Sequence, residues 1–146
     1  MATTQVRIAS KGDCQALEDL DFETSNSPYD FEQWNEVIED SSKMIVGVDT
    51  HGFKAFALLR PTLTNIEILK IGVHPQYRRK RYGTTMILYL KRWAKERNSK
   101  SINILVPETE TTLQLFLKAQ HFKCIKSGKK GLLFVFRIEK QELISS

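Results

Sequence analysis

The sequence predicts an α/β fold built around one mixed sheet. Two observations carry this. Short apolar runs with a strand's rhythm alternate with longer runs of helical rhythm, and two strand–helix–strand crossovers fall in the second half of the chain. With 146 residues, 41% of them apolar, the chain suits a single domain, residues 1–146, with one buried core.

The elements follow in order. "QVRIA" reads as a short strand, and "DCQALEDLDFE" as a helix with Asp13 placed to cap it. "SNSPY" breaks that helix. "DFEQWNEVIED" is a second one, with Phe31, Trp34, Val37 and Ile38 on a single face. Three strands are expected next, "KMIVGVD", "FKAFALLR" and "NIEILKIGV". Asp49–Gly52 turns the chain between the first two, and Arg60-Pro61-Thr62 breaks it before the third. "GTTMILYLKRWAKER" is an amphipathic helix with Met86, Leu90, Trp93 and Ala94 inward and Lys91, Arg92, Lys95 and Glu96 outward. "SINILV" is a strand, "ETTLQLFLKAQ" a helix, and "FKCIK" and "GLLFVFRIE" close the chain as a hairpin. The order is β-α-α-β-β-β-α-β-α-β-β.

Composition narrows the function classes. No apolar run approaches the roughly 20 residues that span a bilayer, and "MATTQVRIAS" lacks the apolar core of a signal peptide. A cytoplasmic protein without a membrane partner is expected. Cys14 and Cys124 form no Cys-x-x-Cys pair and read as reduced, buried thiols. His51, His74 and His121 have no metal-ligand spacing, so no metal is implied. Residues 1–40 hold two cations against ten acids, net −8; residues 41–146 hold twenty cations against seven acids, net +13. Such asymmetry fits either two unlike ligands or two solvated surfaces.

The third strand carries a slip in rhythm. Ile66 and Ile68 alternate, as do Ile71 and Val73, but the two pairs stand three apart. This fits a β-bulge between Ile68 and Ile71 that frees backbone amides for a ligand, or else a fully buried strand with Leu69 in the core. Directly after it comes "VHPQYRRKRYGTT". Pro75 stops the strand, Arg78, Arg79, Lys80 and Arg81 follow in a row, and Gly83 opens the next helix. A helix N-terminus offers unpaired N–H groups and a positive dipole end, and Gly83 would let a phosphate approach the backbone. A compact anion pocket suited to a pyrophosphate is one reading; a solvated basic surface or a localisation signal is the other.

"IGVHPQYRRKRYGTTMILYL" resembles the acetyl-CoA-binding motif of the GCN5-related N-acetyltransferase (GNAT) superfamily: a strand ending Val-x-Pro, an aromatic, then Arg/Gln-x-x-Gly-x-Gly/Ala opening a helix. Arg78 and Gly83 match the first and last positions, and Arg81 stands where the first glycine is usual. The element order is similar over nearly the whole chain, most of all to the ribosomal-protein alanine acetyltransferase branch. The resemblance implies a GNAT-like, largely antiparallel mixed sheet with helices on both faces. It also implies acetyl-CoA as cosubstrate and transfer of acetyl to a primary amine by direct attack. Ile71, Gly72 and Val73 would bind the cofactor through their backbone. Arg78, Arg79, Lys80, Arg81, Tyr82, Gly83 and Thr84 would form the pyrophosphate turn, with Tyr82 covering the cofactor.

The branch's catalytic glutamate falls on Leu105, its tyrosine on Leu117, a cofactor-contacting asparagine on Glu110, and the glycine of a Gly-Phe pair on His121. Histone-type members place the general base six residues before the Val of Val-x-Pro, which is Glu67 here. Burial on an apolar strand would lift its pKa into a useful range, whereas an outward-facing or lysine-paired Glu67 would have no such role. The losses at Leu105 and Leu117 leave a non-catalytic acyl-CoA-binding module as the alternative. Nucleic-acid binding by the basic turn is disfavoured by its compactness. Residues 13–41 contain ten acids and no Lys or Arg, so a cationic amine, small molecule or peptide, is the expected acceptor.

Overall fold

A computed structural model of the chain describes residues 3–74 and 81–139. Arg78, Arg79 and Lys80, expected in the pyrophosphate turn, lie outside the described residues. Seven strands, β1 (Gln5–Ile8), β2 (Met44–Asp49), β3 (Phe53–Pro61), β4 (Asn65–Val73), β5 (Ser101–Val106), β6 (Lys123–Gly128) and β7 (Gly131–Arg137), make one sheet in the order β1-β2-β3-β4-β5-β7-β6. Four helices, α1 (Cys14–Thr24), α2 (Phe31–Glu39), α3 (Tyr82–Glu96) and α4 (Thr111–Ala119), cover its faces. Among the described residues only β4 and β5 pair in parallel; the other ladders are antiparallel. The architecture is that expected.

Each face has its own core. Met86, Ile87, Leu90 and Ala94 recur at helical spacing along α3 and are fully buried against Val46, Ala57, Ile66, Ile102 and Phe134. On the other face, Leu17 and Leu20 of α1 and Trp34 and Val37 of α2 bury against Ile45, Phe56 and Leu58. Trp34 meets Phe56 edge-on, ring centroids 5.4 Å apart. Asp30 caps α2: its carboxylate accepts from the Gln33 N–H at 2.8 Å, and the Gln33 side chain accepts from the Asp30 N–H at 2.9 Å.

Three local expectations need correction. Asp13 does not cap α1 with its side chain; it ends a 3₁₀ turn, Lys11–Asp13, accepts from the Ser10 N–H at 2.8 Å and holds Arg7 with both oxygens at 2.9 Å. The cation at Arg7 draws it away from the helix. Pro61 does not break the chain before β4 but forms the last residue of β3, opposite Ile66, where a missing N–H costs little. Cys14 is buried as expected, but Cys124 is exposed, because β6 is the edge strand.

The rhythm slip in β4 is a bulge. Leu58 pairs with Lys70 and Leu59 with Ile68, leaving Leu69 as the extra residue. The slip keeps Ile66, Ile68, Ile71 and Val73 on the α3 face while sending Lys70 and Gly72 towards α1. Past the bulge β4 parts from β5: their register runs only from Asn65–Ser101 to Ile68–Ile104. The two strands then diverge into a V.

Candidate active site

The V opens into a cleft of about 540 Å³, the size of a small-molecule site. Ile71, Gly72 and Val73 form one wall. The start of α3, with Arg81, Gly83 and Thr84, and the start of α4, from Thr109 to Leu113 with Phe116 behind it, form the other. Thr24 and Asn26, at the end of α1, close the near side. Six of the expected cofactor residues thus share one cavity. Tyr82 does not line it but packs against the α3-side core.

Backbone geometry suits an amide-bearing ligand. The His74 N–H donates to the Lys54 carbonyl at 2.8 Å. By the two-residue period of a strand, Gly72 faces β3 as well, and the N–H and C=O groups of Ile71 and Val73 turn to the cleft. Two helix N-termini, those of α3 and α4, converge on the same space, and neither has a side-chain cap. The positive ends of their dipoles make it attractive to phosphate.

Arg81, just before α3, has φ 64° and ψ 18°, a left-handed conformation that glycine adopts freely and arginine at a cost of roughly 1–2 kcal/mol. This explains why glycine is usual at that position. His121 is likewise at φ 69°. Gly83, which lines the cleft, also has a packing role. A Cβ there would sit 3.1 Å from Phe116 Cζ and 3.2 Å from Val73 Cγ2, so the missing side chain lets α3 pack closely against α4 and β4. A Cβ on Gly72 would lie 2.5 Å from Thr24 Oγ1 and 2.6 Å from Phe56, so Gly72 admits the end of α1 to the cleft wall.

Glu67 lies on the face of β4 opposite Ile66 and Ile68. The burial expected for it is absent: its carboxylate is ion-paired with Arg60, directly across on β3, and the side chain is 36% exposed. Leu117, where a tyrosine would supply an acid, is wholly buried beneath α4. Leu105 is 50% exposed on β5. No group of three or more His, Cys, Asp or Glu able to hold a metal exists among the described residues.

Several contributors were missed in the sequence reading. Thr24 ends α1 and Asn26 lies in the break that follows, which carries no motif, and the threonines of "TETTL" were read only as the start of a helix. The Lys70 ammonium lies 3.0 Å from both Asp21 oxygens, donates to the Ser27 carbonyl at 2.8 Å and to Ser25 Oγ at 3.3 Å, and stands over the Tyr29 ring. It therefore grips the chain on both sides of Asn26. The acids of α1 and α2 are also less free than their number suggests. Asp13, Asp21, Glu23, Glu39 and Asp40 pair with Arg7, Lys70, His74, Lys11 and Lys43. Glu32 and Glu36 remain exposed without an ion pair among the described residues.

Among the described residues, then, a seven-stranded mixed sheet is splayed at one parallel pair, with a helix N-terminus at the splay. The sequence matches the model of the acetyltransferase (GNAT) family over residues 13–122, and the chain belongs to that family. No curated protein sequence matches it. The fold is similar to that of the ribosomal-protein-S18-alanine N-acetyltransferase from Escherichia coli (TM-score 0.82, 12% identity, 97% of this chain and 98% of that one). It also resembles PaiA N-acetyltransferase from Thermoplasma acidophilum, solved with coenzyme A (0.80, 17%, 92% and 99%). A third likeness is NAA60 from Arabidopsis thaliana with acetyl-CoA (0.78, 15%, 93% and 99%). No helix among the described residues is long and apolar enough to cross a membrane.

Proposed function

We propose that the protein transfers the acetyl group of acetyl-CoA to a primary amine, by direct attack while both substrates are bound. The observation that carries this is the meeting, in one cleft, of the backbone edge at Ile71 and Val73 with the N-termini of α3 and α4. The fit follows from the donor set: the strand backbone beside the splay suits the pantetheine amides, and helix N-termini with the cations Arg78 to Arg81 suit a pyrophosphate. Bound acetyl-CoA supplies an activated acetyl thioester. Backbone N–H groups near Ile71 orient the arm that bears it and offer hydrogen bonds to charge developing on the carbonyl oxygen. Thr24 and Asn26 wall the acceptor's entrance. Glu67, held by Arg60 on the sheet face outside the cleft, is not placed to take the proton directly; water carries the proton of the incoming ammonium out of the cleft. The exposed carboxylates Glu32 and Glu36 favour a positively charged acceptor.

A thermal-shift titration with acetyl-CoA tests the site, and release of free CoA in the presence of an amine panel tests the reaction. Stabilisation by the ligand together with amine-dependent CoA release is expected; absence of any stabilisation would remove the reading. A second reading, a non-catalytic acyl-CoA-binding module, is favoured by the burial of Leu117 and the exposure of Leu105 where acid–base groups are usual. It predicts stabilisation without turnover for every amine tried.

A further inference from the structure

A second cavity, of about 770 Å³, lies away from the cleft. Helix α3 gives its first turn, Gly83 and Thr84, to the cleft and its later turns, Lys91, Arg92 and Lys95, to this groove. Seven residues separate Thr84 from Lys91, about 10 Å along the helix axis. The sheet repeats the separation. The cleft opens beyond Ile104, near the end of β5, whereas the groove is lined by Arg137, opposite Ser101 at the start of β5. Here β7 outruns its neighbour: β6 begins at Lys123, opposite Val135, and β7 continues to Arg137. The groove lies at that step, between α3 and the hairpin.

Its lining has one dominant sign. Lys91, Arg92 and Lys95 from α3 and Lys123 and Arg137 from the hairpin stand against a single acid, Glu139. None of the five cations has an ion-pair partner among the described residues. Four are exposed, as lysines near a sheet edge often are. Lys91 is different. It is partly buried, its ammonium stands 4.1 Å from the centre of the Phe136 ring, and it donates to the Gln120 carbonyl at 2.7 Å. Burial pushes its pKa down. A cation that has partly left water without a counter-charge gains from an arriving anion. Ile125 and Ile138 complete a lining that is apolar as well as basic.

We infer that this groove binds an acidic segment of a partner protein, one that carries apolar side chains between its carboxylates. The carboxylates meet the Lys and Arg side chains, and the apolar side chains cover Ile125 and Ile138. A nucleic acid shares the charge but not the rest. Single strands hold to proteins by stacking bases on aromatic rings. The groove's phenyl ring, Phe136, already carries the Lys91 ammonium, and the Phe122 ring is tilted against it at 5.6 Å. A sugar–phosphate backbone gains nothing from Ile125 and Ile138. The amine acceptor is not the occupant either, because the exposed Glu32 and Glu36 favour a cation and the groove an anion. The groove thus recruits a protein through a segment separate from any acetylated amine, and this recruitment does not depend on the acetyl-transfer reading.

The test is fluorescence anisotropy with labelled octapeptides of alternating Glu and Leu, Gln and Leu, or Glu and Ser, and with oligouridylate. The Glu/Leu peptide should bind about tenfold more tightly than each of the others, and salt should weaken it. Arg92→Glu/Lys95→Glu and, separately, Arg137→Glu should each weaken it about tenfold, with Tm and CoA binding unchanged. All three residues are exposed and lie outside the cofactor cleft. Equal binding of the Glu/Leu and Glu/Ser peptides would reduce the groove to a diffuse positive field. Tighter binding of oligouridylate would make it a nucleic-acid surface. Release of the peptide by saturating CoA would place the peptide in the cleft. A dimer in sedimentation that Arg137→Glu dissociates would assign the groove to the acidic helices of a second copy. Each of these outcomes, like a preference that survives both variants, overturns the inference.

Discussion

The Lys70 ammonium sits 3.0 Å from each carboxylate oxygen of Asp21, a residue with no exposed surface. The pair joins α1 to β4 one residue past the bulge. Removing one member strands the other, so Lys70→Met should cost roughly 3–5 kcal/mol in urea unfolding. The double variant Asp21→Leu/Lys70→Met should cost clearly less than the sum of its parts, because no buried charge is left alone. Additive costs would show that the two residues act independently.

His121→Gly should stabilise the protein. The residue follows the C-terminal cap of α4 at φ 69°, where a side chain is strained and glycine is not. Relief of about 1 kcal/mol, partly offset by the freer unfolded chain, corresponds to a Tm rise of roughly 2–4 °C. A lower Tm would mean that the imidazole makes a contact worth more than the strain.

Acid should weaken the fold through Asp13. The Arg7 guanidinium, above all, and the Ser10 N–H hold its carboxyl below the usual range. Asp49 is lowered in the same direction, first by the Gly52 N–H and then by Arg7. A carboxyl depressed in the folded state contributes fully above its unfolded pKa, near about 3.9. That contribution is lost as pH falls through the folded value. Stability should therefore be flat above about pH 5 and decline below about pH 4. Asp13→Asn should cost roughly 2 kcal/mol at neutral pH and flatten the acid decline. An unchanged pH profile in that variant would place the acid sensitivity elsewhere.

Glu67→Gln should slow acetyl transfer by roughly 10²–10⁴-fold if Glu67 accepts the proton. CoA affinity should stay nearly constant, since Glu67 does not line the cofactor cleft. An Arg60→Gln variant adds a second reading, because it frees the carboxylate without removing it and should raise the transfer rate. An unchanged rate in Glu67→Gln, with chemistry limiting turnover, would assign the proton to water.

Periodicity made the element order legible, and the three-residue gap between Ile68 and Ile71 made the bulge legible as well. Local rhythm reports which face a residue takes, and both features are matters of face. What rhythm could not report was pairing across the chain. Asp21 and Lys70 are 49 positions apart, and nothing in either neighbourhood names the other. Glu67 looked like a buried carboxylate because its strand neighbours are apolar; its exposure and its arginine belong to an uncovered part of the sheet and to the adjacent strand. Gly83 read only as room for a ligand; that its bare backbone also admits Phe116 depends on a helix 33 positions further on.

The parallel seam between β4 and β5 spans only four register pairs, Asn65–Ser101 to Ile68–Ile104. Strands β1 to β4 form one ladder, and β5, β7 and β6 another. Past Ile68 and Ile104 the described strands have no register pairs across the gap, so what joins the two ladders there is the packing of α3 rather than the sheet. A molecule that fills the V touches Ile71 and Val73 on one ladder and the Thr109–Leu113 segment attached to the other. It therefore works as a rivet, and part of its binding free energy goes into holding the two ladders together.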